Sequence, residues 1–284
     1  MTDRIAVVGA GQMGNGIAHV FAHSGFQVTM IDVSQEALDN GRSTIAKNIE
    51  RQVKKGTIPA EDQVKILARI DLNMDLEAAG EAALIIEAAS EDAGLKYRIF
   101  TDLDRIAKPK AVLATNTSSI SITEIARRTS RPDKVVGMHF MNPVPVMKLV
   151  EIIRGLATSD ETTEYVMDLS KQLGKTPVEV NDFPGFVSNR VLMPMINEAV
   201  YCLMEGVGEP EAIDQVMTLG MNHPMGPLAL ADLIGLDTCV AILDVLWQGL
   251  GNPKYAPCPL LRKYVAAGWL GRKSGRGFYT YNKK

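Results

Sequence analysis

The chain opens on a short apolar run, Arg4-Ile5-Ala6-Val7-Val8, followed at once by Gly9-Ala10-Gly11-Gln12-Met13-Gly14. A helical pattern then runs from Asn15 to about Ser24, and a second apolar run, Gln27-Val28-Thr29-Met30-Ile31, ends on Asp32. Strand, G-x-G-x-x-G, helix, strand and acid in that order is the layout of a dinucleotide-binding βαβ unit. Gly9 permits the tight turn, Gly11 lets backbone approach a pyrophosphate, and Gly14 lets the helix lie close to the strand. The helix N-terminus offers unpaired N–H groups and a positive dipole to phosphate. Glycines also punctuate ordinary turns, so the motif carries weight only because strand, helix and acid flank it. The Asp32 carboxylate suits the ribose hydroxyls of NAD and repels a 2′-phosphate; Val33-Ser34-Gln35-Glu36 supply no cation to welcome one. NAD is therefore expected in preference to NADP.

Up to about residue 182, candidate strands at 4–8, 27–31, 82–88, 111–115, 135–141, 147–153 and 176–180 alternate with helical patterns. That alternation predicts a mostly parallel, doubly wound α/β sheet of Rossmann type covered on both faces. Residues 135–153 and 176–180 are expected to add antiparallel edge strands, because a hairpin connects part of them. Beyond Asp182-Phe183-Pro184-Gly185 the strand signal stops, and 186–206, 209–221, 226–250 and 258–268 read as helices rich in Met, Leu and Ala. The expected division is residues 1–183, an NAD-binding domain, and 184–284, an all-α domain for substrate and subunit contact. Val191–Ile196 and Leu228–Ile234 are apolar nearly all round, so those helices are buried in a core or between subunits.

A net charge of −3 gives no general attraction for nucleic acid or an anionic membrane. No apolar run reaches the roughly 18 residues of a membrane span. Asp3 and the interrupting glycines make residues 4–8 a strand rather than a signal peptide. Cys202, Cys239 and Cys258 have no metal-ligand spacing and cannot all pair, so no metal is expected and the reducing cytoplasm is the expected compartment.

Gly137 to Ile153 reads as two apolar strands joined by a proline-interrupted turn, with His139 in the first and Glu151 in the second. Folded about Pro145, the hairpin sets the two opposite each other, with Cβ atoms about 5 Å apart on one face. A carboxylate holding one ring N–H fixes the tautomer and leaves the other nitrogen to act as a base. A histidine in an apolar strand is ordinarily core, and a one-residue slip would put the pair on opposite faces. Residues 34–56 read as one helix capped by Ser34, with Lys47, Arg51, Lys54 and Lys55 on one face. By itself such a stripe is solvated surface as readily as a phosphate site.

Gly9 to Gly14, Asn116-Thr117-Ser118-Ser119, His139-Phe140-Met141-Asn142-Pro143, and Pro184-Gly185-Phe186 with Asn189-Arg190 together resemble the (S)-3-hydroxyacyl-CoA dehydrogenases. At this length the likeness is greatest to the bacterial 3-hydroxybutyryl-CoA dehydrogenases, and it extends to Gly275-Arg276-Gly277-Phe278-Tyr279. The resemblance implies reversible oxidation of (S)-3-hydroxyacyl-CoA (3-hydroxybutyryl-CoA) to 3-ketoacyl-CoA (acetoacetyl-CoA), in fatty-acid or butyrate metabolism, by a homodimer. It makes His139 the acid–base residue and Glu151 its orienting carboxylate, and it gives Ser118 and Asn189 hydrogen bonds to the substrate's 3-oxygen. It implies nicotinamide-side contacts by Glu91, Lys96 and Asn142, and Lys273 reaching back to the cofactor. Lys55 corresponds to a lysine that contacts CoA; Asn48 stands where the family has a serine. Ser118 and Asn189 could equally serve as helix caps, and Lys273 as a loose surface lysine. Two other readings stay open: a dehydrogenase of the same architecture acting on a free β-hydroxy acid, and a non-catalytic NADH-binding protein.

Overall fold

The computed structural model describes residues 3–281 and divides after Asp182 into two compact units. The first is an eight-stranded sheet in the order β3-β2-β1-β4-β5-β6-β7-β8. Its strands are β1 (Arg4–Val8), β2 (Gln27–Ile31), β3 (Ile70–Asn73), β4 (Leu84–Glu87), β5 (Val112–Thr115), β6 (Val135–Phe140), β7 (Leu149–Arg154) and β8 (Thr176–Asn181). The helices are α1 (Gln12–His23), α2 (Gln35–Lys54), α3 (Asp62–Ala68), α4 (Ala93–Ile106), α5 (Ile122–Ala126) and α6 (Asp160–Gln172). The strand order reverses between β1 and β4, which is where an open α/β sheet opens a crevice at the carboxyl ends of its strands.

Alternation along the strands builds the core. Ile5, Val7, Val28, Met30, Leu84, Ile86, Met138, Phe140, Val150 and Ile152 join one cluster with Ile17, Phe21, Ile45 and Val166 from the helices. The alternate residues Ala6, Ile85 and Leu113 are buried as well, so the inner strands have no solvent face. His139 and Glu151 occupy alternate positions to Met138, Phe140, Val150 and Ile152, so the sheet's pleat directs them away from that cluster.

The antiparallel edge strands are present, and three details differ from the sequence reading. β6 is parallel to β5, and only β7 and β8 run against the rest. β8 pairs parallel with β7 because α6 forms a crossover between them, where a hairpin would have reversed the chain. β3, absent from the expected strands, pairs parallel with β2 as an edge.

The second unit holds α7 (Ser188–Met204), α8 (Pro210–Gln215), α9 (Pro227–Ile234), α10 (Leu236–Leu250) and α11 (Pro259–Ala266). Met193, Ile196, Val200, Leu228, Leu236, Leu243, Leu246 and Leu261 form its core. The single helix expected over 226–250 is two, because Gly235 breaks it at φ 106°. Asp214 caps α9 by accepting from Leu228 and Ala229 N–H at 2.8 and 2.9 Å. Asp232 anchors the tail by accepting from Phe278 and Tyr279 N–H, both at 3.0 Å. Among the described residues, no helix is long and apolar enough to cross a membrane.

Candidate active site

The carboxyl end of the first unit's sheet gathers chemistry from five neighbouring strands. At β1 the backbone turns at Gly9 with φ 106°, and a Cβ there would fall 2.6 Å from the Ala88 carbonyl oxygen. A Cβ on Gly14 would lie 1.8 Å from the Gly9 carbonyl oxygen, so α1 can start this close to the turn only on glycine. A Cβ on Gly11 would meet no atom within 4 Å; no protein packing demands glycine there, and the space in front of it is open. At the end of β2, Asp32 Oδ2 accepts from Ala10 N–H at 2.8 Å and Oδ1 from Ser34 N–H at 3.0 Å. The carboxylate is thereby fixed in direction, with lone pairs left for two hydroxyls. Gly9, Gly11, Asp32, Ala88, Ser90 and Arg98 line one cleft of about 530 Å³. Glycine turn, open space, helix N-terminus and oriented acid are the parts a dinucleotide requires, and the residues present fit NAD.

A second cleft, of about 500 Å³, also begins at Gly11 and is lined by Gln12, Asn15, Asn48, Asn142 and Val144. Asn142 accepts from Gln12 Nε2 at 3.2 Å. Asn48 therefore faces a cleft wall, whereas Lys55 is exposed at the C-terminus of α2 and does not line it. Lys47 and Arg51 are likewise exposed on α2, and Lys54 pairs with Glu50 at 2.7 Å.

The β6–β7 register sets His139 opposite Glu151, as folding about Pro145 requires. His139 Nδ1 lies 2.8 Å from Glu151 Oε2, with the two residues only 9% and 2% exposed. Such a pair can orient the imidazole and stabilise a proton on it.

The loops after β4 and β5 form one polar network. Glu91 Oε1 accepts from Thr117 Oγ1 (2.6 Å), Ser118 N (2.9 Å), Ser118 Oγ (3.2 Å), Ser119 N (3.1 Å) and Ser119 Oγ (3.0 Å). Burial pushes the Glu91 carboxyl up, but Lys96 and these donors outweigh it and hold it below the ordinary 4.5. Asn116 Oδ1 accepts from Phe140 N–H at 2.9 Å, tying the Ser118 loop to the strand that carries His139. The resemblance implies a nicotinamide-side contact for Lys96. Here it is 1% exposed, and its ammonium is turned onto Glu87 at 2.6 Å and Glu91 at 3.5 Å.

In the second unit, Asn189 is buried in the first turn of α7, and Lys273 is held by Asp237 at 2.6 Å. That lysine counteracts the burial of Asp237 and brings its carboxyl below the usual value of 3.8.

Sequence reasoning passed over Glu87 and Arg98, and it gave Asn116 and Thr117 a place in the resemblance motif but no role of their own. Glu87 had a usable signal, an acid ending an apolar strand, the pattern that singled out Asp32. Asn116 acts by accepting from a backbone N–H of β6 and Thr117 through its hydroxyl to Glu91, contacts that no spacing rule reveals.

Two family models account for nearly the whole chain. The 3-hydroxyacyl-CoA dehydrogenase NAD binding domain matches residues 4–183, and the 3-hydroxyacyl-CoA dehydrogenase C-terminal domain matches residues 185–281. A Bacillus subtilis protein named "Probable 3-hydroxybutyryl-CoA dehydrogenase" is 61% identical, over 99% of this chain and 98% of its own. A 3-hydroxybutyryl-CoA dehydrogenase of Bradyrhizobium diazoefficiens is 54% identical over 98% of this chain and 95% of its own. The solved structure of an (S)-3-hydroxybutyryl-CoA dehydrogenase from Ralstonia eutropha superposes with a TM-score of 0.97 at 51% identity, covering all of both chains.

Proposed function

Because the chain belongs to the 3-hydroxyacyl-CoA dehydrogenase family and is an NAD-dependent dehydrogenase, we propose that its substrate pair is (S)-3-hydroxybutyryl-CoA and acetoacetyl-CoA. The names of its relatives support this acyl length. The observation that carries the chemistry is the buried His139–Glu151 contact of 2.8 Å at the carboxyl end of the sheet.

When bound, NAD would supply a hydride acceptor, and the remaining work falls to the protein. In oxidation, His139 takes the 3-hydroxyl proton on Nε2, while Glu151 holds the ring through Nδ1 and stabilises the imidazolium. Ser118 turns its hydroxyl from Glu91 to the substrate oxygen as that oxygen gains negative charge. Glu91 keeps four other donors when it does so: the Thr117 hydroxyl, the Ser118 and Ser119 N–H groups and the Ser119 hydroxyl. In reduction His139 returns the proton as an acid. Gly9, Gly11, Gly14 and Asp32 would hold the dinucleotide, Glu91 and Asn142 would serve its nicotinamide end, and Lys96 would act behind Glu91. Asn48 lines the acyl-CoA cleft, and Lys55 meets the CoA phosphates beyond it. Asn189 and Lys273 take their substrate and cofactor roles from the family resemblance alone.

We also read the protein as a cytoplasmic homodimer. Supporting this are three unpaired thiols and exposed apolar residues on the second unit, among them Val191, Val216, Leu219 and Leu233. The deciding assay is reduction of acetoacetyl-CoA against free acetoacetate, each with NADH and NADPH. Turnover confined to the CoA ester with NADH supports the proposal. Equal turnover of the free acid favours a β-hydroxy acid dehydrogenase, and no turnover favours a non-catalytic binding protein.

A further inference from the structure

We infer that Glu87 is a positioning residue of this reaction, a carboxylate that fixes Ser118 through Thr115, Thr117, Lys96 and Glu91 without itself meeting substrate or cofactor. The inference rests on the assignment of Ser118 to the substrate oxygen.

Glu87 is the last residue of β4 and is completely buried. Its Oε1 accepts from Ala89 N–H at 2.7 Å and from Lys96 Nζ at 2.6 Å. Its Oε2 accepts from the Thr115 hydroxyl at 2.7 Å, directly across the β4–β5 ladder. Thr115 has one hydroxyl proton and gives it to Glu87, so its oxygen is left to accept, and Thr117 N–H occupies it at 3.2 Å. Thr117, also completely buried, sends its own hydroxyl proton the other way, to Glu91, and accepts from Ile120 N–H at 3.0 Å.

Every bond in this chain therefore has an imposed direction. The hydroxyl protons of Thr115 and Thr117 run into two carboxylates, Glu87 and Glu91, and the Lys96 ammonium contacts both. The Ser118 loop is pinned from below by Glu87 and from the side by Glu91. A neutral amide at position 87 cannot reproduce this. It has one acceptor oxygen for three donors, and its NH₂ would face either the Thr115 hydroxyl or the pair formed by Lys96 and Ala89 N–H. If it faces Thr115, that hydroxyl has no acceptor for its proton. If it faces Lys96, the ammonium loses its buried partner and Glu91 its fixed neighbour. Either way the turn holding Ser118 loses its anchor on Glu87, while the acyl-CoA cleft, built on α1, α2 and the 142–145 loop, is untouched.

The test is a double-mutant cycle at saturating NADH, with Glu87→Gln, Ser118→Ala and the double variant assayed on acetoacetyl-CoA. Glu87→Gln is expected to lower kcat by about 10- to 100-fold with KM for the acyl-CoA within about 3-fold, because only an interaction at the reacting oxygen is weakened. The double variant is expected within about 2-fold of Ser118→Ala alone, since residues acting as one unit are not additive. Losses that multiply, or a Glu87→Gln enzyme within about 2-fold of wild type, overturn the inference, as a merely structural residue would not couple to Ser118. Should Glu87→Gln fail to fold, Thr115→Val cuts the same link at constant volume and is read by the same cycle. A Ser118→Ala enzyme that turns over normally refutes the Ser118 assignment and this inference with it; a severe Ser118→Ala defect with multiplying losses refutes this inference alone.

Discussion

Replacing Glu151 with Gln removes one charge from the acid–base pair and leaves its shape. His139 and Glu151 are both buried and 2.8 Å apart between Nδ1 and Oε2. With charge centres about 4 Å apart and an effective dielectric near 20, the imidazolium formed during oxidation gains about 4 kcal/mol from the carboxylate. Losing all of it would slow the step by about 10³, since each 1.4 kcal/mol is tenfold. A smaller bound comes from the hydrogen bond alone. Exchanging a charged acceptor for a neutral one weakens it by about 1 to 1.5 kcal/mol, or about tenfold. Glu151→Gln is therefore expected to reduce kcat for oxidation of (S)-3-hydroxybutyryl-CoA between about 10- and 1000-fold, with the KM of that substrate within about 3-fold, because the uncharged pair still forms in the ground state. The assay is steady-state NAD reduction with (S)-3-hydroxybutyryl-CoA, with a thermal melt to confirm the fold. A variant with normal kcat would mean that no positive charge develops on His139 during turnover, and the mechanism would fail.

Gly14→Ala places a methyl 1.8 Å from the Gly9 carbonyl oxygen, so α1 must move; NADH affinity measured by fluorescence titration is expected to fall by about 100-fold or more, a loss of roughly 3 kcal/mol. Asp32→Ser frees the N–H groups of Ala10 and Ser34 and removes the charge that repels a 2′-phosphate; the ratio of NADH to NADPH in kcat/KM is expected to drop by about 10-fold or more, and an unchanged ratio would place cofactor choice elsewhere, with Arg98 the first residue to examine. His19 is fully buried, and its pKa is lowered from 6.5 to about 4 by that burial, with help from His23 and Lys175. Its folded value lies below its unfolded one, so the stability it contributes is complete above pH 6.5 and is lost as pH falls from there to about 4. The full loss is about 3 kcal/mol, and His19→Leu should flatten this part of the melting-temperature curve. Leu219→Glu, on the exposed apolar surface of the second unit, is expected to shift sedimentation toward monomer with the fold intact; an unchanged dimer would put the subunit contact on other residues.

The parts of this molecule legible from sequence are those governed by periodicity or by one dominant local requirement. The βαβ unit is readable because Gly9 and Gly14 are demanded by contacts of 2.6 and 1.8 Å that no side chain survives. The His139–Glu151 pairing is readable because antiparallel register follows from the position of the turn. β3 was missed because Ile70–Asn73 is too short for its period to stand out beside α3. The direction of β8 against the main sheet was legible, but its parallel pairing with β7 was not, because a crossover and a hairpin leave the same apolar pattern in the strand itself. Glu87 and Lys96 stand nine residues apart on different elements, and only tertiary structure shows the lysine turned inward. Gly235 was visible as a glycine, but its φ of 106°, the reason α9 and α10 are separate, was not.

The segment between β6 and β7 has two consequences that selection can handle separately. The ladder on either side sets the spacing of the proton-transfer couple, whatever the tip contains. The tip itself, through Asn142 and Val144, walls the cleft shared with Asn48. With the acyl-CoA proposed for that cleft, drift in those few positions would retune which substrates are gripped while the proposed proton transfer stays intact, so a lineage built on this scaffold could change its diet without reinventing its chemistry.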